Sequence, residues 1–202
     1  MTADDAAGRL RRWGYFGLAV ADASLAWAGA TRARWLTKPA LMPVLMVGRD
    51  RPTQRALALG AAGDIALLVP TTPAFAVGLS CFLAGHLSWV AALRGRPGQA
   101  KVVARHPWVV VPYAATWAGL NAYLWPRTGS LRIPVLAYSA ALGGMAVVAL
   151  DTGQTRASIG GSLFMLSDTL LALKRFGGLS FPLQEAAVMA TYTTAQYLLA
   201  GD

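Results

Sequence analysis

Two aspartates stand in otherwise apolar stretches and are the strongest candidates for chemistry in this sequence. Asp64 lies in GAAGDIALL and Asp168 in FMLSDTLLA. If both stretches are membrane-spanning helices, two carboxyl groups at one depth in a medium of low dielectric constant do not both ionise. One keeps its proton while the other stays an anion, which gives a general acid beside a general base. The sequence does not distinguish which aspartate is the acid.

Further polar residues are predicted at the same depth as these aspartates. Ionisable side chains inside spans cost at least ~2.5–3.5 kcal/mol each and usually face the interior of the bundle. With a helical rise of ~1.5 Å per residue, six groups from six spans fall in one band of the non-cytoplasmic half: Asp22, Lys38, Asp64, Tyr138, Asp168 and Glu185. We expect Lys38 to keep one aspartate ionised or to contact a lipid phosphate. Tyr138 is expected to position water or to line the substrate tunnel.

The remaining polar candidates have structural interpretations that stay open. Asp22 can pair with Lys38 or fill a polar gap, and Glu185 can be solvated. His86 and Gln196 are predicted on the cytoplasmic side. His86 is expected to lie too deep to reach the aspartates, and it can instead donate a structural hydrogen bond between helices. Gln196, like Tyr138, can position water or line the tunnel. Two histidines and one cysteine exclude a three-histidine or cysteine-based zinc site, so no metal is predicted.

The elements that must position these groups are transmembrane helices. Of 202 residues, 55% are hydrophobic and only 13% are charged, against ~25% charged in soluble domains. Since a spanning helix needs about 20 apolar residues, we predict an all-α polytopic membrane bundle, a single domain over residues 1–202, with eight spans near 13–30, 36–47, 53–69, 73–93, 108–125, 133–150, 158–173 and 181–200. The second span is short and contains Pro39 and Pro43. The similarity of GAAGDIALL to FMLSDTLLA, four spans apart, is compatible with a 4+4 parallel repeat.

Basic residues in the gaps between spans predict the orientation. The net charge is +9, but its placement in short gaps is typical of membrane loops and argues against a nucleic-acid-binding protein. If the N-terminus is cytoplasmic, eleven basic residues lie on that side: Arg9, Arg11, Arg12, Arg49, Arg51, Arg55, Arg94, Arg96, Lys101, Arg105 and Arg156. Six lie opposite: Arg32, Arg34, Arg127, Arg132, Lys174 and Arg175. We therefore expect a multi-pass protein of the bacterial cell membrane with both termini in the cytoplasm.

Six motifs in a fixed order resemble the YhhN-like lysoplasmalogenase family of integral membrane proteins. They are TKPALMP at Thr37–Pro43, AAGDIALL at Ala61–Leu68, FAVGLSCFLAGHLSW at Phe75–Trp89, PVLAYSAALGGM at Pro134–Met145, GGSLFMLSDTLLA at Gly160–Ala172 and YTTAQYL at Tyr192–Leu198. The resemblance implies an eight-span hydrolase that cleaves the vinyl-ether bond of lysoplasmalogens, with Asp64 and Asp168 as the catalytic pair. It implies a lysophospholipid substrate within membrane lipid, and no metal or organic cofactor.

Vinyl-ether chemistry fits an acid paired with a carboxylate. Protonation of the β-carbon gives an oxocarbenium ion, water adds to it, and the hemiacetal collapses to an aldehyde. Glycosidases divide similar roles between two carboxyl groups, and we expect the carboxyl groups of Asp64 and Asp168 to lie roughly 5–9 Å apart. The sequence leaves three alternatives open: a hydrolase of another single-chain lipid, a proton-coupled transporter or lipid-binding protein, and a purely structural bundle.

Overall fold

The chain forms helices joined by short turns. The computed structural model describes residues 3–97 and 99–201; positions 1, 2, 98 and 202 of the predicted single domain lie outside the described residues. Within them are α1 Ala3–Trp27, α2 Thr31–Met46, α3 Arg51–Leu67, α4 Thr72–Arg94, α5 Val102–Arg105, α6 Val111–Leu124, α7 Arg132–Asp151, α8 Thr155–Arg175 and α9 Gln184–Ala200. Short 3₁₀ segments occupy Pro107–Val110, Trp125–Arg127 and Gly129–Leu131. The predicted all-α class is confirmed, and the eight predicted segments correspond to α1–α4 and α6–α9.

Local sequence signals explain most helix ends. The Asp50 carboxylate accepts a hydrogen bond from the Thr53 backbone N–H (3.3 Å) and Pro52 follows at the start of α3, a combination that favours helix initiation. Thr71 caps α4 in the same way, through the Ala74 N–H. Gly29 and Gly48 adopt positive φ angles of 68° and 75° after α1 and α2, where a residue without Cβ is least strained.

Several helices begin at other residues than the predicted spans. The eighth span is predicted from near residue 181, whereas α9 begins at Gln184, directly after Leu183 with its left-handed φ of 67°. The second was expected from residue 36, but α2 begins at Thr31, so Arg32 and Arg34 are helical rather than loop residues. Asp151 accepts a hydrogen bond from the Val103 N–H (2.8 Å) and ties α5 to the end of α7.

Seven helices pack as a closed ring. In order around it, α1, α2, α3, α4, α7, α8 and α9 each pack on the next, and α9 packs back on α1. Helix α6 lies outside this ring against α7 and α8. It is joined to α7 by the Trp117 indole N–H, which donates to the Ser139 hydroxyl (3.1 Å). The buried core inside the ring includes Tyr15, Trp89 and Phe164.

Glycines allow the closest helix approaches. A Cβ on Gly63 would lie 2.6 Å from the Phe82 ring, and one on Gly161 would lie 3.0 Å from the Ala146 Cα. The first contact joins α3 to α4 and the second joins α8 to α7. Small residues let helix backbones approach closely, as is common in membrane bundles. These contacts bring the polar residues of α3 and α8 into the interior of the ring.

Two described helical segments are long and apolar enough to cross a membrane by length and composition: Thr72–Arg94 and Gly129–Asp151. Each has 23 residues, within the ~17–25 that a bilayer requires. They correspond to α4 and to α7 with its preceding 3₁₀ turn.

Candidate active site

The ring encloses a cavity of about 550 Å³, within the ~300–1,000 Å³ typical of small-molecule sites. Asp64 of α3 and Asp168 of α8 both line it. So do three other residues of the predicted polar band: Lys38, Tyr138 and Glu185. The predicted carboxyl separation of roughly 5–9 Å stays a prediction.

Asp64 is held as one half of a buried ion pair. Its side chain is only 2% exposed. The Lys38 ammonium lies 3.1 Å from Oδ1, and the Tyr192 hydroxyl donates to Oδ2 at 2.7 Å. A buried carboxylate with a cation on one oxygen and a donor on the other is stable as the anion. The arrangement therefore favours an ionised Asp64.

Asp168 has different surroundings. Tyr138 of α7 donates a short hydrogen bond to its Oδ2, and among the described residues no cation pairs with it. Both Asp168 and Tyr138 keep part of their surface exposed, and both line the cavity. Most of the Asp168 side chain is nevertheless removed from water, and a carboxylate there without a cation is costly, so this position favours the neutral acid. Oδ1 is free to carry the proton.

Two further polar side chains contact the tyrosines that bind the carboxyl groups. His86 Nε2 is 3.2 Å from the Tyr138 hydroxyl oxygen, and Gln196 Nε2 donates to the Tyr192 hydroxyl at 3.1 Å. The Tyr138 hydroxyl has one hydrogen, and it donates that hydrogen bond to Asp168. His86 must therefore donate through Nε2–H to the Tyr138 oxygen. Each aspartate is thus supported by a tyrosine, and each tyrosine by a further polar side chain.

Among the described contacts, His86 touches neither aspartate directly, and a tyrosine stands between it and Asp168. His86 does not line the cavity, but one tyrosine hydroxyl connects it to Asp168. Gln196 is connected to Asp64 in the same way. The Phe164 ring packs against both sets of hydrogen-bonded side chains. Its centroid lies 4.8 Å from the centroid of the His86 ring and 5.3 Å from that of the Tyr192 ring.

Asp22 and Glu185 lie at the edges of the site. Asp22 is fully buried and outside the cavity lining. Its partners are Arg34, with Nη2 at 3.1 Å, and the Thr37 hydroxyl at 2.7 Å. Of the two structural alternatives for Asp22, pairing with Lys38 therefore does not occur, since Lys38 pairs with Asp64. Glu185 lies at the cavity mouth and pairs with Lys174.

Tyr192 is the site residue that the sequence reasoning missed. It stands in YTTAQYL four residues before Gln196, so both lie on one face of α9. That spacing was the available signal. No cluster of His, Cys, Asp and Glu that could hold a metal occurs among the described side chains.

Comparison with known proteins gives a consistent picture. The family model described as "YhhN family" matches residues 33–202. Two curated relatives, from Mycobacterium bovis and Mycobacterium tuberculosis, are each 35% identical over 141 residues and each carry the name "Lysoplasmalogenase". The alignment covers 64% of this chain and 52% of each relative, so the chain spans about half the length of the curated relatives it matches. No solved structure matches.

Proposed function

Because the chain belongs to the YhhN family, we propose that it is a multi-pass membrane hydrolase that cleaves the vinyl-ether bond of lysoplasmalogens. The products are a fatty aldehyde and a glycerophospho-headgroup. The name of the two relatives supports this substrate class. The observation that carries the proposal is the pair of aspartates on one cavity, with a cation beside Asp64 and none of the described cations beside Asp168.

A bilayer is the environment that the outer surface of the ring fits. Large apolar side chains stand outward, including Trp13 at 74% exposure, Leu36 at 80% and Ile133 at 65%. Apolar exposure on this scale marks a surface that water does not cover. Helices α1–α4 and α6–α9 are the proposed eight spans, and the excess of basic residues on one side places both termini in the cytoplasm. Within α1–α4 each helix packs on the next along the chain, and the same holds within α6–α9. This shared order of packing is compatible with the 4+4 repeat.

The proposed reaction begins with proton transfer from Asp168. The proton goes to the β-carbon of the vinyl ether, and the former double bond becomes an oxocarbenium ion. The Asp64 carboxylate stabilises this cation and then takes a proton from the attacking water, which gives a hemiacetal. On collapse, the departing glycerol oxygen takes the proton from Asp64, and the hemiacetal hydroxyl proton returns to Asp168. Both carboxyl groups end in their starting states.

The neighbouring side chains keep these two states distinct. Lys38 compensates the charge of Asp64 before it takes the proton from water and after it gives that proton up. Tyr138 donates to Asp168, and this bond is strongest when Asp168 is the anion left after proton transfer. Tyr192 fixes the second oxygen of Asp64. Because all three groups are in place before substrate enters, they stabilise the charge that develops without reorganisation.

The test is aldehyde release by the purified full chain in detergent or nanodiscs. A lysoplasmalogen is compared with the matching ester lysophospholipid, and we expect aldehyde from the first and no fatty acid from the second. Asp64→Asn and Asp168→Asn should each lower kcat by ~10²–10⁴-fold, the range of general acid–base catalysis. Asp50→Asn is the matched control, since Asp50 caps α3 away from the cavity, and it should retain activity.

Three results would count against the proposal. Full activity in Asp64→Asn removes the acid–base pair. Release of fatty acid from the ester alone assigns the site to a different lipid hydrolase. Proton-coupled flux in liposomes without product assigns it to a transporter.

A further inference from the structure

Charged residues surround the outer mouth of the cavity and take no part in the reaction described above. They are Arg34, Lys174, Arg175 and Glu185. Arg34 is already engaged by Asp22. The other three come from the end of α8 and the first turn of α9, so they form one compact patch, which we call the mouth patch.

Arg175 is the cation of this patch with unused hydrogen-bonding capacity. Its guanidinium carbon lies 5.2 Å from the centroid of the Phe75 ring, and among the described residues it has no carboxylate partner. Stacking on an aromatic face orients the planar group while its N–H donors stay available. An oriented guanidinium with free donors is suited to bidentate binding of a phosphate.

Lys174 and Glu185 add one charge of each sign beside Arg175. Their side chains form an ion pair and are 42% and 36% exposed. An ion pair so exposed contributes little to stability, and its partners can exchange for charged groups of a ligand. A zwitterionic headgroup offers such groups, with a phosphate for the two cations and an amine for Glu185.

The register of α8 connects the mouth patch to the reacting carboxyl. Asp168, Leu171, Ala172 and Arg175 all line the cavity, and their spacing of three, four and seven residues places them on one face of the helix. Arg175 follows Asp168 by seven residues, a rise of ~10 Å. The glycerol backbone of a lysoplasmalogen together with the long arginine side chain bridges such a distance, with the vinyl ether at Asp168 and the phosphate at Arg175.

We infer that the mouth patch is a headgroup subsite, in which Arg175 and Lys174 bind the phosphate and Glu185 binds the amine of a glycerophospho-amine lipid. The inference rests on the proposed function for the position of the reacting bond. It adds a recognition element whose effect is on binding rather than on the chemical step. It predicts that ligands lose affinity as the amine and then the phosphate are removed.

The experiment measures binding of uncleavable saturated ethers to the full chain in nanodiscs, independently of catalysis. The three probes are 1-O-alkyl-glycerophosphocholine, 1-O-alkyl-glycerophosphate and 1-O-alkylglycerol. Arg175→Ala should weaken binding of both phosphate-containing probes at least tenfold and that of the alkylglycerol less than twofold. Glu185→Gln should reduce the preference for the phosphocholine probe over the phosphate probe. Inorganic phosphate at equal concentration should displace neither.

Arg127→Ala is the matched control. Arg127 also stacks on an aromatic ring, at 4.0 Å from the Tyr123 centroid, but it does not line the cavity, and the variant should bind all three probes as the wild type does. Unchanged phosphate-probe affinity in Arg175→Ala, equal loss for all three probes, or displacement by inorganic phosphate overturns the subsite.

A kinetic arm separates this inference from the proposed function. With lysoplasmalogen, Arg175→Ala should raise KM and leave kcat within twofold, whereas 1-alkenylglycerol without phosphate should show no change in KM. If the wild type releases no aldehyde but the three ether probes bind with the predicted order of affinities, the proposed function fails and the subsite stands. If the wild type and Arg175→Ala both release aldehyde with the same KM, the subsite fails and the proposed function stands.

Discussion

At the scale of single residues, the two aspartates are distinguished by what lies next to them. Both carboxyl groups line one cavity, but the Lys38 ammonium lies 3.1 Å from Asp64, whereas Asp168 accepts a hydrogen bond from the Tyr138 hydroxyl. A buried charge is tolerated when a partner compensates it and is otherwise avoided by protonation. The difference in partners therefore favours different protonation states for two chemically identical side chains, and the proposed reaction uses that difference.

Removing the cation should abolish that difference. In Lys38→Met, Asp64 loses its partner and becomes neutral, so it no longer takes a proton from water. We expect kcat for aldehyde release to fall about 100-fold, with KM little changed. Lys101→Met, which alters an exposed lysine, serves as control. Wild-type kcat in Lys38→Met at an unchanged melting temperature would show that Asp64 does not act as an anion.

The side chains that contact each tyrosine should be energetically coupled to that tyrosine in their effect on kcat. Tyr138→Phe removes one hydrogen bond to Asp168, worth ~1.4 kcal/mol or about tenfold in kcat. If His86 acts only by orienting Tyr138, His86→Ala lowers kcat in the wild type and has no further effect in the Tyr138→Phe background. A double-mutant cycle measures this coupling. The matched cycle pairs His86→Ala with Tyr192→Phe, and we expect near-additive effects there. Additivity in both cycles would contradict the pairing.

The sequence predicted much of this site because depth can be counted along a helix. Counting residues from span ends put six polar side chains at one level, and all of them except Asp22 line the cavity. The count does not say how far a side chain reaches. A tyrosine is about as long as one helical turn, ~5.4 Å, so Tyr138 connects His86 to a carboxyl group that backbone depth alone places out of reach.

At the scale of helices, close packing of α3 on α4 positions Asp64. Gly63 precedes Asp64, and the Phe82 ring occupies the space of its missing side chain. Gly63→Ala would place a methyl group 2.6 Å from that ring, so the two helices must separate. We expect a loss of ~1–3 kcal/mol, the usual cost of overpacking, seen as a lower melting temperature in detergent.

The matched control is Gly119→Ala on α6, where a new Cβ meets nothing within 4 Å. It should leave the melting temperature unchanged or raise it, since alanine favours the helix over glycine. Equal melting temperatures for both variants would mean that the α3–α4 contact is looser than the structure indicates.

Helix boundaries were less predictable than helix positions, for a physical reason. Hydropathy shows where apolar residues are, but a helix ends where the backbone finds other hydrogen-bond partners. The start of α9 is an example. The Gln184 side chain accepts from the Phe181 N–H and donates to the Leu170 carbonyl at 2.9 Å. Pro182 disfavours a helical backbone at Phe181, and Leu183 adopts a left-handed φ of 67°. The tertiary contact of Gln184 with α8, which hydropathy does not show, holds this start of α9 in place.

At the scale of the whole molecule, length and polarity together explain why only α4 and α7 among the described helices combine the length and hydropathy of a membrane span. Helix α2 has 16 residues, and it contributes Arg34 and Lys38 to interior ion pairs, which lowers its mean hydropathy. Helix α6 has 14 residues and reaches further through the 3₁₀ turns at both of its ends. Polar interiors and short helices with extensions are both compatible with spanning.

Labelling from one side of the membrane tests the resulting topology. In a Cys81→Ser background, which removes the single cysteine of the chain, Arg32→Cys and Arg105→Cys introduce thiols at exposed positions on opposite ends of the ring. With both termini cytoplasmic, a membrane-impermeant maleimide should label Arg32→Cys in intact cells and Arg105→Cys only after permeabilisation. Both variants should still release aldehyde, since neither residue lines the cavity. The reverse labelling pattern would place the cavity mouth, and with it the entry point of the substrate, on the cytoplasmic side.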